Sequence, residues 1–301
     1  MYDISVREPS REGLQANLPL WLQPDFLAAV SELQGVEALQ LVCRKGDQCV
    51  AMLPLYEKKS LGVRRLICPV SAYYQGFWYF WEPGREPNRN LLDELKVSSE
   101  AAAFLKARYK RMHFNLAPHN LDVRGFTTAG FKALPLYTFV HDLSQPLGLL
   151  ADERKQLRTA EKQDYPLEES FRPDEFISLL KELHQRKAQR FGLPYGAFQS
   201  WMETLHNKDL LAQFNLLQNG ATVSSNLILG GREDSTGYSI MICTRPEAMK
   251  NGAATLHYKL LAEMLQDRFA TLDFCGGNVV EVARFKAALG LGLKVFFQLR
   301  G

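Results

Sequence analysis

The chain has 301 residues, of which 46% are hydrophobic, 23% charged and 11% aromatic, the proportions of an ordinary globular protein about two domains long. A formal charge of +3, from 36 basic and 33 acidic side chains, argues against a dedicated nucleic-acid binder. Even residues 151–190 hold nine charges of each sign and read as solvated helix faces.

In chain order, MYDISVREPSREG has no apolar run, so no secretory leader is expected. No stretch approaches the roughly 18 apolar residues of a membrane span. Residues 39–58, LQLVCRKGDQCVAMLPLYEK, alternate around a Lys-Gly-Asp turn and predict a hairpin, followed by a strand at 63–70. SAYYQGFWYFW, 71–81, crowds aromatic rings around one glycine. If the run is extended, half of them face away from a core, which suits either a sugar-like acceptor or an inter-domain interface. Residues 90–109 have helical spacing, and HFNLAPHNLDVRGFTTAGF closes the first half at 113–131.

YTFVHDLS at 137–144 leads the second half, and helices are predicted at 151–163, 173–192 and 196–207, the second ended by Gly192. FNLLQNGATVSSNLILGG, 214–231, repeats the hairpin around Asn219-Gly220. A strand at 237–244, a helix at 253–269 and TLDFCGGNVVEVARFKAALGL at 271–291 then repeat the later elements of the first half. Asn120, Phe126 and Gly130 correspond to Asn278, Phe285 and Gly290 at offsets of 158, 159 and 160 residues. The order of elements predicts an internal duplication in an α+β arrangement with a mixed sheet, divided as 1–136 and 137–301. Five scattered cysteines, Cys43, Cys49, Cys68, Cys243 and Cys275, form no C-x-x-C pair and predict reduced thiols, no metal and a cytoplasmic setting.

The closing stretch holds the candidate residues. CGGN lacks the Gly-Lys-Ser/Thr of a P-loop, and no G-x-G-x-x-G follows the strand. At about 100° per residue, with Val282 at zero, Leu289 falls near 340°, Phe285 near 300°, Lys286 near 40° and Arg284 near 200°. Lys286 therefore sits on the buried stripe, where a lysine must snorkel, find a partner or open into a cleft. Asp273 and Glu281 flank the turn as possible proton acceptors, Tyr238 lies on the preceding strand, and His257 reads as structural. The first half has Thr127 after Phe126, where the second has Lys286 after Phe285, and no Gly-x-Ala before its helix, so a site using Lys286 belongs to the second half alone.

This order resembles the tandem branch of the GNAT (Gcn5-related N-acetyltransferase) fold, which holds the Fem-type peptidyltransferases and acetyltransferases of envelope polysaccharides. The resemblance rests on YTFVHDLS, on Arg158-x-x-x-Lys162, on RPEAMKNGAA between strand and helix, and on DFCGGN followed by Arg284-Phe285-Lys286. It implies two GNAT-like domains with mixed, mainly antiparallel sheets flanked by helices, the first degenerate and on the acceptor side. An acyl-CoA co-substrate is implied at Lys250, Asn251, Gly252, Ala253, Ala254, Thr255 and Asn278, although Met249 stands where the motif has Arg or Gln. Lys286 is implied to stabilise an oxyanion, Tyr238 to protonate a leaving thiolate, Asp273 to take a proton, and Tyr73, Tyr74 and Trp78 to hold the acceptor. The expected activity is N-acyl transfer to an amine of an envelope or polysaccharide precursor by direct attack, without metal, in a monomer or homodimer. Its rivals are an aminoacyl-tRNA-dependent Fem-type ligase and a non-catalytic binding protein.

Overall fold

The computed structural model describes residues 2–12, 17–60 and 62–301; of the N-terminal stretch 1–13, Met1 and Gly13 lie outside that set. By contact the chain divides into two units, residues 1–136 with 295–301, and residues 137–294. The first contains β1 (Asp3–Arg7), α1 (Pro24–Gln34), β2 (Glu37–Lys45), β3 (Gln48–Ser60), β4 (Val63–Leu66), β5 (Trp78–Tyr79), α2 (Pro87–Arg108), β6 (Arg111–Asn115) and α3 (Arg124–Thr128). The chain leaves it within β7 (Lys132–Asp142). The second unit then has α4 (Ala151–Ala160), β8 (Leu167–Glu169), α5 (Pro173–Arg186), α6 (Tyr195–His206), β9 (Leu211–Gln218) and β10 (Ala221–Leu229). It continues with β11 (Thr236–Thr244), α7 (Pro246–Lys250), α8 (Ala253–Leu265), β12 (Thr271–Asp273) and α9 (Val280–Ala288), and the chain returns within β13 (Gly292–Arg300).

Each sheet is mixed and mainly antiparallel. In the first unit the order is β1-β2-β3-β4-β6-β13, with β4 and β6 parallel. In the second it is β8-β9-β10-β11-β12-β7, with β11 and β12 parallel. The duplicated hairpins share a detail that the sequence pattern hides: each carries one extra residue, Val50 on β3 and Val223 on β10. Asn219 and Gly220 both take positive φ, the twist that a two-residue hairpin loop needs.

One boundary differs from the sequence reading. Residues 295–301, expected in the second half, belong to the first unit because Gln298, Leu299 and Arg300 pair with Asn115, Phe114 and His113 of β6. The equivalent place beside β12 is filled by β7, through Val140, His141 and Asp142. Alternation in a strand reports its faces and not its neighbours, so such an exchange leaves no local trace.

The aromatic run is also corrected. Only Trp78–Tyr79 forms a strand, and Tyr74 is 1% exposed, edge-on to Trp21 and Phe296, so no face of its ring is left for a sugar. Tyr73 and Trp78 are half-buried; Trp78 packs edge-on to His119.

The second unit's core joins Phe214, Leu261, Leu272, Phe274 and Leu289, so α8 and α9 share one apolar centre with β9 and β12.

Candidate functional site

Parallel strands β11 and β12 pair only from Thr236–Thr271 to Tyr238–Asp273; β11 then runs on to Thr244 while β12 ends. The strands part at the residues the sequence singled out. β11 also carries an extra residue, Ile240, opposite the Leu227–Ile228 step of β10. Such bulges bend a strand and re-aim its groups. In the first unit, β4 and β6 part in the same way after Leu66 and Met112, but residues 73–75 of the segment that follows β4 come back to Asn115 of β6. There Gln75, wholly buried, donates its N–H to Asn115 O (2.6 Å) and its Nε2 to Ile67 O (3.3 Å). In the second unit the chain leaves Thr244 directly into α7 and α8, with only residues 245–252 between β11 and α8.

Beyond Asp273 the chain makes a tight turn. Asp273 Oδ1 accepts from Cys275 N (2.8 Å) and from the buried Thr138 hydroxyl (2.5 Å). Cys275 and Gly276 take positive φ, of 41° and 67°. Their carbonyls, with that of Phe274, converge on Lys286, which is 4% exposed. Its ammonium donates to Phe274 O (2.6 Å), Gly276 O (2.8 Å) and Cys275 O. An ammonium has three N–H groups, and all three are engaged. Burial lowers the pKa of Lys286 to about 8, against the opposing pull of Cys275 and Asp273. The helix wheel is realised: Leu289 is buried, Phe285 half-buried against Tyr258, and Arg284 exposed.

The turn before α8 has a different environment. Gly252 caps the helix at φ 79°, and a Cβ built there would lie 2.2 Å from Gln156 O of α4. Ala253 and Thr255 are buried, Ala254 and Asn251 half-buried, and Lys250 exposed. The Thr255 hydroxyl donates to Glu153 of α4 (2.5 Å). One side of the expected phosphate turn is thus closed by α4, leaving the Lys250 side open. There Arg186 Nη1 lies 3.8 Å from Met249 Sδ, bringing a guanidinium from α5 to the position where the motif has its own Arg or Gln.

Asn278 spends its amide on the main chain of Tyr137, accepting from N (2.9 Å) and donating to O (3.2 Å). Glu281 is exposed at the start of α9. His257 is wholly buried, with Nδ1 on the Ser224 hydroxyl (2.8 Å); burial lowers it to about 3 and keeps it neutral. All five cysteines are free, and the described residues hold no cluster of metal-ligating groups and no helix long and apolar enough to cross a membrane. Tyr238, Asp273 and Lys286 are therefore gathered around one turn. Thr138, Glu153, Arg186 and Gly276 were not singled out from the sequence. Only Gly276 left a local signal, as half of the Gly-Gly pair.

No protein-family model matches the chain, and no curated protein does. Solved structures do. FemX is similar over 91% of this chain and 90% of its own, with a TM-score of 0.66 at 13% identity. L-PGS from Bacillus licheniformis matches over 91% and 86%, with a TM-score of 0.55 at 11% identity. A tandem GNAT protein from the clavulanic acid biosynthesis pathway matches over 88% and 83%, with a TM-score of 0.51 at 14% identity. The chain has the Fem-type tandem GNAT fold.

Proposed function

We propose that the protein transfers an acyl or aminoacyl group to an amine, and that the second unit does the chemistry. The parting of β11 from β12 beyond Tyr238 and Asp273 carries this reading. It offers a strand edge beside a charged turn, and at the matching place in the first unit that unit's own chain comes back to Asn115. The donor is an acyl-CoA whose phosphates meet the open side of the 250–255 turn, with Lys250 and Arg186 supplying charge beside the helix N-terminus. The acceptor is an amine of a cell-envelope or polysaccharide precursor. Its neutral nitrogen attacks the donor carbonyl directly: the C–N bond forms, the C–S bond breaks, and the proton that the nitrogen gives up goes to the departing thiolate.

Lys286 acts through the turn. Its protons are committed, but an ammonium on Cys275 O polarises the peptide that ends in Gly276 N–H. That N–H has no hydrogen-bond partner among the described residues, so it becomes a strengthened donor for a developing oxyanion. Tyr238, paired with Asp273 on the last rung before the strands part, passes a proton to the leaving thiolate and regains one from the attacking nitrogen. Asp273, buried and holding two donors, sets the shape of the turn.

Thermal unfolding with acetyl-CoA and longer acyl-CoAs tests the donor assignment. A ligand at about 100 times its Kd adds roughly 2.7 kcal/mol, a rise of several degrees in Tm at this size. The shift should disappear in the double variant Lys250→Glu, Arg186→Glu. No shift with any CoA rejects acyl-CoA as donor.

A second reading, an aminoacyl-tRNA donor, is favoured by one observation. Lys155 and Arg158 lie on one face of α4, with Lys162 in the turn just past its end, and no carboxylate among the described residues pairs with them. Salt-sensitive tRNA binding lost on reversing these three charges would support it.

A further inference from the structure

A separate cleft of about 740 Å³ lies along the outward side of α8, away from the turn at its start. Its walls are the strap of residues 143–149, the first turns of α4, and α8 at Lys259, Ala262, Glu263 and Gln266. The volume falls within the range of small-ligand sites. The acyl-transfer reading uses none of these residues.

The cleft is preformed. The strap is pinned at both ends by main-chain hydrogen bonds, Leu143 N to Ala270 O (3.0 Å) and Leu150 N to Ala288 O (2.9 Å). Near its far end Gly148 is pressed on Gly290 so closely that a Cβ at Gly290 would fall 2.6 Å from Gly148. His141 holds Gln145 O at 2.9 Å. The inner surface is aliphatic, from Leu147, Leu149, Leu157 and Ala262.

Its charges are unequal. Lys259 is neutralised by Glu263 at 3.0 Å. Arg154 is aimed by one hydrogen bond from Nη1 to Leu149 O (2.7 Å) and has no acidic partner among the described residues. An oriented guanidinium with a free edge matches a carboxylate, and a leucine-lined wall beside it matches an alkyl chain.

We propose that this cleft is a second ligand site, which takes an aliphatic monocarboxylate with its head group on Arg154 and its chain on the leucines. A single free cation suits one negative charge better than a polyphosphate. The aliphatic lining favours a chain over a sugar.

Titration calorimetry of the full chain with octanoate, 1-octanol and acetate tests it. Octanoate should saturate a single site, and octanol and acetate, each lacking one half of the match, should bind at least about tenfold more weakly. Arg154→Gln, an exposed position, should lose about tenfold for octanoate and nothing for octanol. Absence of octanoate binding, equal affinity for octanoate and octanol, or octanoate binding untouched by Arg154→Gln overturns the proposal. The octanoate–octanol comparison on the unaltered protein decides the matter even if the variant folds poorly.

Discussion

Lys286→Met is expected to give a folded protein whose transfer rate has fallen at least about a hundredfold, the usual cost of removing one element of oxyanion stabilisation. The acyl-CoA-dependent thermal shift should survive, since the donor turn is built from other residues. The loss should fall on kcat and leave KM nearly unchanged, because the charge matters where negative charge develops and not where the ground state is held. A rise in KM with unchanged kcat would assign Lys286 to binding and remove it from the chemical step.

Stability gives an independent reading of the same residue. The variant leaves three carbonyls without a donor, at roughly 1 kcal/mol or more each. It also removes a buried ammonium, whose lowered pKa means a penalty of up to about 3 kcal/mol for carrying charge in the fold. The carbonyl loss outweighs the relieved charge penalty only slightly at pH 7, so a destabilisation of no more than about 1–2 kcal/mol is expected there. The sign with pH is definite. The folded pKa, about 8, lies below the ordinary 10.5, so between these values the unfolded chain binds more protons than the folded one. The native protein then gains stability as pH rises through this window. Lys286→Met cannot make that gain, and its deficit should widen from pH 7 to pH 10. A constant deficit would mean that Lys286 keeps its charge in the fold up to the ordinary lysine range.

Much of this arrangement is legible in the sequence, because local rules dominate it. The hairpins follow from alternation and from Asn219-Gly220, α8 and α9 from helical spacing, and the duplication from the order of elements. Lys286 on the apolar face of its helix is itself a prediction of burial. What stayed hidden depends on partners distant in the chain. Thr138 reaches Asp273 across 135 residues, Glu153 reaches Thr255 across 102, and Arg186 reaches Met249 across 63. None of these pairs has a spacing rule, so Met249 reads as a missing charge until α5 is seen to bring one. The aromatic run misleads for the opposite reason: its composition suited an acceptor or an interface, but Tyr74 packs on Trp21 and Phe296, and Gln75 bonds to Ile67 O and Asn115 O where β4 and β6 part.

Gly252→Ala is expected to cost the second unit far more stability than a methyl group added at an open turn of the same φ. Two costs add. A left-handed φ of 79° penalises any residue with a Cβ by about 1–2 kcal/mol. The new atom would also lie 2.2 Å from Gln156 O and 2.8 Å from its carbonyl carbon, and a main-chain group has no rotamer by which to yield. Relief requires α4 to move off α8, breaking the Thr255–Glu153 hydrogen bond and loosening the contact with Ala160. A total near 4 kcal/mol follows, roughly 10 °C in Tm. Gly220→Ala is the matched control, with φ 77° in the same unit and nothing within 4 Å of its Cβ, so it reports the backbone cost alone. Similar losses for the two variants would mean that α4 does not press on the turn. A much larger loss for Gly252→Ala, with acyl-CoA no longer raising Tm, would tie the close approach of α4 to the shape of the donor turn. Glycine at this position would then serve the packing of two helices as well as the approach of a phosphate.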